Sequence, residues 1–438
     1  MAWWLKMMRD NQAESIFHNV GQGLFYSGRI KMAHTRSFNF VYDCGTKSPR
    51  HFLDQAITAY KNHIQRNQID LLVLSHFDID HINGVDKLLS DVAVDKVVIP
   101  YFTPIERLII GLRNPGAPEK SDDEKPYDWY FDFLSDPVSF LIKNKKANQV
   151  IIVGGDSETE EYAKTKFKFS DQFREDDIGK NDLNFIKMHD DWQLKKQISE
   201  HDPNWVQENK LLVKNHLHSV PLSNYWIFKF FNYKVEEDTL EGFHNCLKNI
   251  GIDPDDSNAL REIIRSKEER KKIKMSYSKL RMKSNDTSLV LYHGPIKKPK
   301  HVSLLCNYCI QRGYECFPFY LTKHLCEHDS NRFGHLLTGD IDLNHKRNIE
   351  LLKHYDEFKN QIKIVQVPHH GSVENWNSLI MLDLLGHERW FTLWCVSAGI
   401  LNAYGHPSPD VIDELSRWGC VQWSNEHNRI TIKGVLEV

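Results

Sequence analysis

A short stretch of the chain carries four side chains that can bind a divalent cation, in the pattern His76-x-Asp78-x-Asp80-His81. Imidazole nitrogens and carboxylate oxygens are ligands that Zn, Mn and Fe accept in proteins. The stretch follows the apolar run at residues 71–74, which is typical of a buried strand. An ordinary polar loop is the alternative interpretation, but donors placed where a buried strand ends favour a metal site there.

Three later segments repeat this placement of donors after a predicted strand. Gly339-Asp340 ends one strand, His369 and His370 follow another, and His406 lies a few residues after a third. One histidine at a strand end is more often structural than a ligand, but four strand ends with donors in one chain are not plausibly all structural. An aspartate at such an end can bridge two cations, so the sequence predicts a centre of one or two divalent ions.

The pattern of apolar residues predicts the elements that position these donors. Aromatic and β-branched residues bounded by glycine at 16–45 predict a hairpin or meander, and apolar spacings of three and four at 48–67 predict a helix. Further strands are predicted at 149–153, 287–292, 336–340, 362–367, 393–397 and 429–432, and further helices at 257–283, 344–360 and 408–418. Strands that alternate with helices are typical of an α/β fold.

The composition excludes several classes of protein. The chain has 438 residues, of which 41% are hydrophobic and 26% charged, and its formal net charge is −3. These values exclude a disordered or fibrous chain and a basic field over the whole molecule. No apolar run approaches the length of a membrane span, and the first residues lack the apolar core of a secretory signal. We therefore expect a cytoplasmic protein with no membrane partner.

The donor residues and their flanks, in this order, resemble the metallo-β-lactamase superfamily, and most closely the soluble hydrolase domain of the DNA-uptake channel ComEC. The resemblance covers about residues 15–100 and 285–438. The segments that carry it are Asn19–Gly23, Asp43–Gly45, Ser75–His81 with Gly84, Asn285–Val290, Leu337–Asp340, His369–Ser372, Ser397 and Asn402–Pro407. It implies an α/β fold built as a four-layer αββα sandwich. The channel's membrane helices are absent here, so its transport role is not carried over.

The resemblance implies two divalent metal ions and assigns their ligands. His76 and Asp78 would hold the first ion, Asp80 and His81 the second, and Asp340 would bridge them. Asp78 stands where the commonest superfamily motif has a second histidine, so the first site is rich in oxygen donors. Zn or Mn is the expected metal, and Mg also suits such a site.

The resemblance implies further roles beside these ligands. His406 stands at the position of the last superfamily ligand, and the third-histidine position is occupied here by Asn285 and Asp286. His369 and His370 resemble a pair that contacts the substrate phosphate in phosphodiesterase-type members, although one of them can be a ligand instead. Asp80 would orient the attacking hydroxide, and His369 or His370 would protonate the leaving group.

Three other polar residues near the predicted site have two interpretations. Ser372, Ser397 and Asn402 are candidates for contact with a phosphate or with a metal ligand, and the alternative role is local turn capping.

A second metal site is predicted within residues 300–330, which we interpret as a small zinc-knuckle-like insertion. Two thiolates of a CxxC turn and a later Cys/His pair can complete a tetrahedral Zn site. The preferred ligands are Cys306, Cys309, Cys326 and His328, with Cys316 and His324 as substitutes. The alternative is a set of unrelated free or buried cysteines. The zinc ion would have a structural role.

The predicted organisation is a fold core formed by 1–102 and 285–438, with a mixed helical, charged insertion at 103–284. The insertion could dock a protein partner, but no motif names one. Its last part, 257–283, holds many lysines and arginines. This basic stretch is either a solvated helix face or a surface that guides a polyanionic substrate.

These features lead to three hypotheses of function. The favoured one is a metal-dependent phosphodiesterase that acts on nucleic acid, that is, a nuclease. The second is a hydrolase of a small phosphodiester, such as a nucleotide messenger or a phosphorylated head group. The third is a non-catalytic accessory module of a larger complex. A β-lactamase is a weaker fourth, because the histidine pair points toward phosphate.

Overall fold

A computed structural model gives the arrangement of most of the chain. The described residues are 12–32, 36–64, 67–114, 128–155, 183–185, 188, 190–191, 194–195, 203–216, 219–233, 237–277, 288–299, 301–305, 331–386 and 392–437. They form two β-sheets that pack face to face, with helices on the outer face of each sheet.

The first sheet takes strands from both halves of the chain. Its order from one edge to the other is β11 (His301–Leu305), β16 (Ile430–Glu437), β1 (Gln12–Phe17), β2 (Phe25–Lys31), β3 (Phe38–Cys44), β4 (Gln68–Val73), β5 (Ala93–Pro100), β6 (Gln149–Gly154) and β7 (Leu211–Asn215). Strands β3 to β7 are parallel, whereas β11, β16, β1, β2 and β3 pair antiparallel. The predicted meander is the antiparallel β1–β2–β3 unit.

The second sheet is also mixed. Its order is β15 (Gly419–Ser424), β14 (Thr392–Ser397), β13 (Ile362–Gln366), β12 (Gly334–Leu337), β10 (Val290–Pro295), β9 (Trp226–Phe231) and β8 (Ser219–Leu222). Strands β12 to β15 are parallel, and β8, β9, β10 and β12 pair antiparallel. Strands β6 to β9 lie within 103–284, so this segment adds two strands to each sheet. The domain boundaries predicted from the sequence stay a prediction.

Helices cover the two outer faces of the sheets. They are α1 (Arg50–His63), α2 (Ile79–Ile82), α3 (Val85–Leu88), α4 (Pro104–Arg113), α5 (Asp128–Ser135), α6 (Pro137–Ser139), α7 (Pro203–Gln207), α8 (Glu237–Asn249), α9 (Ser257–Arg265), α10 (Lys267–Tyr277), α11 (Asn348–Tyr355), α12 (Ser378–Leu385) and α13 (Pro409–Trp418). Shorter turns of π- or 3-10 helix lie at Phe140–Asn144, Asp356–Phe358 and Pro368–Gly371. Within the described ranges, no helix combines the length and apolar character that a membrane span needs.

Alternation along the strands divides the core into three layers. In β4, Leu71 and Val73 belong to the cluster between the two sheets, whereas Leu72 faces the cluster under α1, α4 and α9. A third cluster lies between the second sheet and helices α11, α12 and α13. Each fully buried aliphatic or aromatic side chain contributes about 1.5–3 kcal/mol to this packing. The predicted four-layer αββα sandwich is therefore confirmed. Residues 306–330, which hold the predicted zinc-knuckle ligands, lie outside the described residues.

Two of the predicted helices differ from the structure. The single helix predicted at 257–283 is wrong, because α9 and α10 are separated at Ser266, whose backbone is extended with φ −80° and ψ 114°. The Ser266 hydroxyl accepts a hydrogen bond from the Glu269 N–H at 3.3 Å, so it caps the start of α10. The helix predicted at 344–360 is shorter, since α11 covers only Asn348–Tyr355 before a 3-10 turn. Residues 278–287 lie outside the described residues.

Candidate metal centre

The loops that follow three strands of the two sheets meet at one edge of the sandwich. The loop after β4 carries Asp80 and His81, the loop after β12 carries Asp340, and the turn after β13 carries His370. One ligand atom from each of these four buried residues lies within 4.8 Å of the others. Donors that are far apart in sequence thus form one cluster.

The carboxylate of Asp340 stands at the centre of this cluster. Its Oδ1 lies 3.1 Å from Nε2 of His81 and 4.0 Å from Nε2 of His370. Its Oδ2 lies 3.7 Å from Nε2 of both His76 and His369. Each oxygen of one carboxylate therefore faces its own pair of imidazoles, which is the arrangement expected of a bridging ligand.

Hydrogen bonds fix which ring nitrogen of two histidines carries a proton. His81 donates from Nδ1 to Oδ2 of Asp43 at 2.8 Å, and His370 donates from Nδ1 to the carbonyl oxygen of Ser397 at 2.7 Å. Both partners are acceptors only, so each Nδ1 must be the donor. In its neutral form each ring then presents the lone pair of Nε2 to the carboxylates, as in metal-ligating histidines.

The other two histidines around Asp340 are oriented in the same way. His76 Nδ1 lies 2.8 Å from the hydroxyl of Ser75, and that hydroxyl donates to Asp43 Oδ2 at 2.6 Å. The serine oxygen is therefore the acceptor for Nδ1–H of His76. His369 donates from Nδ1 to the side-chain oxygen of Asn375 at 2.7 Å. All four rings thus direct Nε2 toward carboxylate oxygens.

The cluster leaves buried polar atoms that a divalent cation would satisfy. Nε2 of His76, Nε2 of His81, Oδ1 of Asp80 and Oδ1 of Asp340 are buried, and none has a hydrogen-bond partner among the described residues. Buried polar groups without partners are costly, and lone pairs that face each other repel. Neutral imidazoles and carboxylates are a suitable donor set for Zn or Mn. The cluster can hold a divalent metal ion.

A second close group of donors has a different role. Asp43, His76 and His81 also lie within 4.8 Å of one another. However, Asp43 already accepts hydrogen bonds from the N–H and hydroxyl of Ser75, both at 2.6 Å, and from His81. Its carboxylate therefore orients the rings of the cluster.

Neighbouring groups keep the carboxylates of the cluster ionised. Burial opposes the charge of Asp80, but Lys47, His370 and His81 hold its pKa well below the usual range. Burial opposes the charge of Asp340 too, and His81 is the main group that lowers the pKa of that carboxyl. Both aspartates are therefore charged near neutral pH, as metal ligands must be.

The pKa values of two histidines at the cluster are shifted in opposite directions. Burial opposes protonation of His81, but Asp340 and Asp43 raise the pKa of its imidazole well above the usual value. Burial and the neighbouring His81 lower the pKa of His76. In the protein without a cation, Asp340 and Asp43 therefore favour a proton on His81, and metal binding at Nε2 must release a proton held there.

The turn after β13 holds two histidines in an unusual backbone conformation. His369 and His370 have φ values of 46° and 56°, in the left-handed region that residues other than glycine seldom adopt. The turn is fixed at both ends, since His369 N–H donates to the Gly339 carbonyl at 3.1 Å and Ser372 N–H donates to the His369 carbonyl at 3.0 Å. Strain of this kind is often found at functional sites.

Two predicted ligands lie outside the cluster of donors. Asp78 stands at the N-cap position of α2 without a side-chain capping hydrogen bond, is half-buried, and has its Oδ1 3.4 Å from the amide nitrogen of Asn114. The ring centroid of His406 is 5.6 Å from that of His369. Burial lowers the pKa of His406 to about 4, and the neighbouring His369 is the second largest cause of this shift. The roles of Asp78 and His406 stay predictions.

The other predicted site residues have varied positions. Ser397 donates its hydroxyl to the Gly23 carbonyl at 2.6 Å. The amide oxygen of Asn402 accepts from the N–H of Tyr404 and of His406, which is a turn-capping arrangement. Ser372 is buried beside His369. Asn285, Asp286, Cys306, Cys309, Cys326 and His328 lie outside the described residues, so their roles are untested.

Two residues at the cluster were missed by reasoning from the sequence. Asp43 ends β3 and anchors the loop after β4, and Lys47 donates to Oδ2 of Asp80 at 2.8 Å. Burial disfavours its charge, but Asp80 and Asp78 raise the pKa of Lys47. The only sequence signal for Asp43 is its place at a strand end before Cys44-Gly45, and Lys47 has none.

Replacement of the orienting carboxylate should weaken metal binding. Asp43→Asn is expected to raise the dissociation constant for Zn about 10- to 100-fold, the usual effect of losing a partner of a ligating histidine. The amide would place N–H groups where Ser75 and His81 already donate. Competition with a chromophoric chelator measures this change. Asp70→Asn is the matched control, because Asp70 is also a buried aspartate but lies toward the opposite end of β4. It should leave the dissociation constant for Zn unchanged. Equal affinities for Asp43→Asn and wild type would contradict the assignment.

Comparison with known proteins gives one family match. Residues 32–108 match the family model described as the metallo-beta-lactamase superfamily. A search of curated proteins gives no match. The matched segment runs from the end of β2 into α4, so it includes Asp43, His76, Asp80 and His81. Asp80 and His81 of the candidate metal centre thus come from a segment that matches the metallo-beta-lactamase superfamily model.

Proposed function

We propose that this protein is a metal-dependent phosphodiester hydrolase whose substrate is nucleic acid. The observation that carries the proposal is the set of imidazole Nε2 atoms directed at the buried carboxylates of Asp80 and Asp340. The superfamily match supports a metal-dependent hydrolase. The finer resemblance to the ComEC hydrolase domain, whose motifs were described above, supports action on nucleic acid.

The geometry suggests how ligand roles are divided. Bound divalent ions, Zn or Mn, would supply an activated water and neutralise phosphate charge. Asp80, His81, His370 and Oδ1 of Asp340 would hold one ion, because their ligand atoms converge. His76, which faces Oδ2 of Asp340, would serve a second ion together with Asp78 as predicted from the sequence.

The histidine pair after β13 divides into a ligand and a proton donor in this proposal. His370 is 2% exposed and its Nε2 lies 3.3 Å from Oδ2 of Asp80, so it suits a ligand. His369 is 25% exposed, and its Nδ1 is already hydrogen bonded to Asn375. We assign to His369 in its doubly protonated form, with Nδ1–H held by Asn375, the transfer of the Nε2 proton to the leaving oxygen, because it is the more accessible of the two rings.

A basic surface beside the centre supports a polyanionic substrate. Lys267, Lys271 and Lys274 are exposed at positions i, i+4 and i+7 of α10. The same helix packs against the end of α4, where a Cβ built on Gly111 would lie 3.9 Å from the Arg270 side chain. The residue after α4 is Asn114, which contacts Asp78. The helix that carries these lysines therefore packs against the helix that ends beside the loop of the metal motif.

The alternatives from the sequence share much of this evidence. A hydrolase of a small phosphodiester would use the same cluster, and only the choice of substrate separates it from a nuclease. An accessory module has less support, because a site without chemistry has no need for oriented Nε2 atoms and unpaired buried carboxylate oxygens. Docking of a protein partner on 103–284 stays a prediction.

The test combines metal analysis with a panel of substrates. Wild type loaded with Zn, Mn or Mg is expected to cleave labelled single- or double-stranded DNA or RNA. The double variant Asp80→Ala/His81→Ala should lose bound metal and at least about 10³-fold of the rate, since each tenfold is about 1.4 kcal/mol and a metal supplies several kcal/mol.

The double variant Glu14→Ala/His63→Ala is the control, because it removes a carboxylate–imidazole pair at 2.7 Å on the surface, away from the cluster. Hydrolysis of bis(4-nitrophenyl) phosphate without cleavage of any nucleic acid would favour the small-phosphodiester alternative. Metal-loaded wild type that hydrolyses no phosphodiester would refute the proposal.

A further inference from the structure

A lysine stands at the mouth of the metal centre without a role in the chemistry proposed above. Lys47 lies in the loop after β3, and its Nζ is 2.8 Å from Oδ2 of Asp80. Its side chain is 31% exposed, whereas that of Asp80 is 2% exposed. The ammonium group therefore links the buried cluster to the solvent in front of it. A lysine in this position is a suitable point charge for a phosphate group.

An exposed aromatic ring lies next to this ammonium group. Nζ of Lys47 is 5.5 Å from the centroid of the Tyr404 ring, and Tyr404 is 57% exposed. Leu401, in the same loop, is 96% exposed. The ammonium group of Lys47 thus lies over the Tyr404 ring, and the His406 ring lies parallel to the same ring with its centroid 6.1 Å away.

The loop that carries the ring is held in place. Asn402 accepts from the N–H of Tyr404 at 3.0 Å and from the N–H of His406 at 3.1 Å, and it donates to the Gly399 carbonyl at 2.7 Å. Glu426 accepts from the Ile400 N–H at 2.9 Å. A ring presented by a fixed loop loses little entropy when a ligand stacks on it.

We infer that Lys47 and Tyr404 form a subsite for one unpaired nucleotide at the mouth of the metal centre. The ammonium group contacts the phosphate next to the one that is cleaved, and the phenol ring stacks on the neighbouring base. A base inside a duplex cannot stack on a protein ring, so the preferred substrate class is single-stranded nucleic acid. This inference rests on the proposed phosphodiester hydrolysis and names its substrate.

Binding to a non-cleavable strand tests the subsite independently of activity. The probe is a fluorescein-labelled phosphorothioate oligothymidylate, titrated with the protein by fluorescence anisotropy, both in chelator and after reloading with Zn. Lys47→Met should weaken binding about fivefold at 0.1 M salt and reduce the slope of log K against log salt by about 0.7, the value for one phosphate of a single strand.

The ring should affect affinity but not salt dependence. Tyr404→Leu is expected to weaken binding about five- to 100-fold with an unchanged salt slope, the size of one base–aromatic stack. Tyr404→Phe should bind like wild type. Neither Tyr404 variant should alter the weaker binding of a duplex of the same length. Since Tyr404 is on the surface, its variants test the subsite even where Lys47→Met folds poorly.

The control and the contrary results are clear. Arg36 is a matched residue, because its side chain is also 31% exposed and is paired with an aspartate, Asp70, that is 2% exposed at the opposite end of β3 and β4. Arg36→Met should therefore leave both the affinity for the strand and the salt slope unchanged. Lys47→Arg should keep the wild-type salt slope. Variants of Lys47 and Tyr404 that bind the strand like wild type would overturn the subsite. In that case hydrolysis of bis(4-nitrophenyl) phosphate would leave the proposed function standing. Loss of binding without any hydrolysis would keep the subsite and reject the function.

Discussion

Asp340→Asn is expected to abolish tight metal binding and to reduce hydrolysis at least about 10³-fold, because a bound metal contributes several kcal/mol to stabilising the transition state. Each oxygen of Asp340 faces two imidazole Nε2 atoms, with His81 nearest at 3.1 Å. An amide has one acceptor oxygen and no charge, so it cannot serve both sides. Metal content after dialysis and the initial rate of phosphodiester hydrolysis measure the two effects.

A neighbouring aspartate provides the matched control for this substitution. Asp342 is buried two residues further along the same loop, and its Oδ1 accepts from the Asn344 N–H at 2.8 Å. An asparagine can keep that hydrogen bond, so Asp342→Asn should retain metal and activity. If Asp340→Asn binds metal with wild-type affinity and stoichiometry, then Asp340 is not a ligand and the centre must be assigned differently.

The donor cluster was predictable in outline because its members follow strands. His76, Asp80, His81, Asp340 and His370 all stand just after apolar runs, and the carboxyl ends of parallel strands meet at one edge of a sheet. The pattern of apolar runs in the sequence therefore places these donors at the same edge of the sheets. It does not give the tautomers, which depend on acceptors contributed by other loops, such as the Ser397 carbonyl.

The residues that were missed act through contacts between distant segments. Asp43 reaches Ser75 and His81 because β3 and β4 are adjacent parallel strands. Lys47 reaches Asp80 across the same junction. The segment Asp43–Gly45 belongs to the family resemblance without indicating a role for Asp43, and nothing in the local sequence of Lys47 distinguishes it from the many other charged residues of the chain. Only the pairing of strands brings them to the cluster.

The segment 103–284 was harder to interpret, since two of its four described strands, β7 and β8, are short and lie at the edges of the sheets. Strands β7 and β8 have five and four residues, too few to give a clear periodicity. Strand β6 is longer and was predicted. The break between α9 and α10 was missed because Ser266 is acceptable within a helix, and its capping role appears only in three dimensions.

Four buried histidines lead to a second large prediction, that the protein unfolds in mild acid. His293 and His335 stack between the two sheets with ring centroids 4.5 Å apart, and both contact the hydroxyl of Tyr26. His18 and His216 are buried elsewhere in the fold. None of these four rings has a carboxylate within hydrogen-bonding or ion-pair distance among the described contacts.

Burial makes the protonated form of these rings costly in the folded state. It lowers the pKa of His335 and His216 to about 3, and burial together with Arg429 lowers the pKa of His18 to about 3. Burial also lowers the pKa of His293 well below the usual value. In the unfolded chain each histidine titrates near about 6.5. Between the pKa of about 3 in the folded protein and about 6.5 in the unfolded chain, the unfolded chain therefore binds protons that the folded protein does not.

The sign of the effect follows from this difference in proton binding. The stabilising contribution is complete above about pH 6.5 and is lost as the pH falls toward about 3. For three histidines shifted to about 3, the loss between pH 6.5 and 4.5 is about 7 kcal/mol. That loss is comparable with the whole stability of a typical domain, about 5–15 kcal/mol. Unfolding near pH 4.5 is the expected result.

Urea unfolding at several pH values in the presence of chelator measures this loss directly. The window from pH 7.5 to 4.5 lies above the range where unfolded aspartates such as Asp80 and Asp340 titrate, near about 3.9, so histidines dominate the slope. His335→Gln should reduce the slope of stability against pH by about one proton, or about 1.4 kcal/mol per pH unit, whereas the exposed His51→Gln should leave it unchanged. A free energy of unfolding that is constant across this window would show that the buried rings accept protons within the fold, and that their surroundings include groups or water able to stabilise the charge.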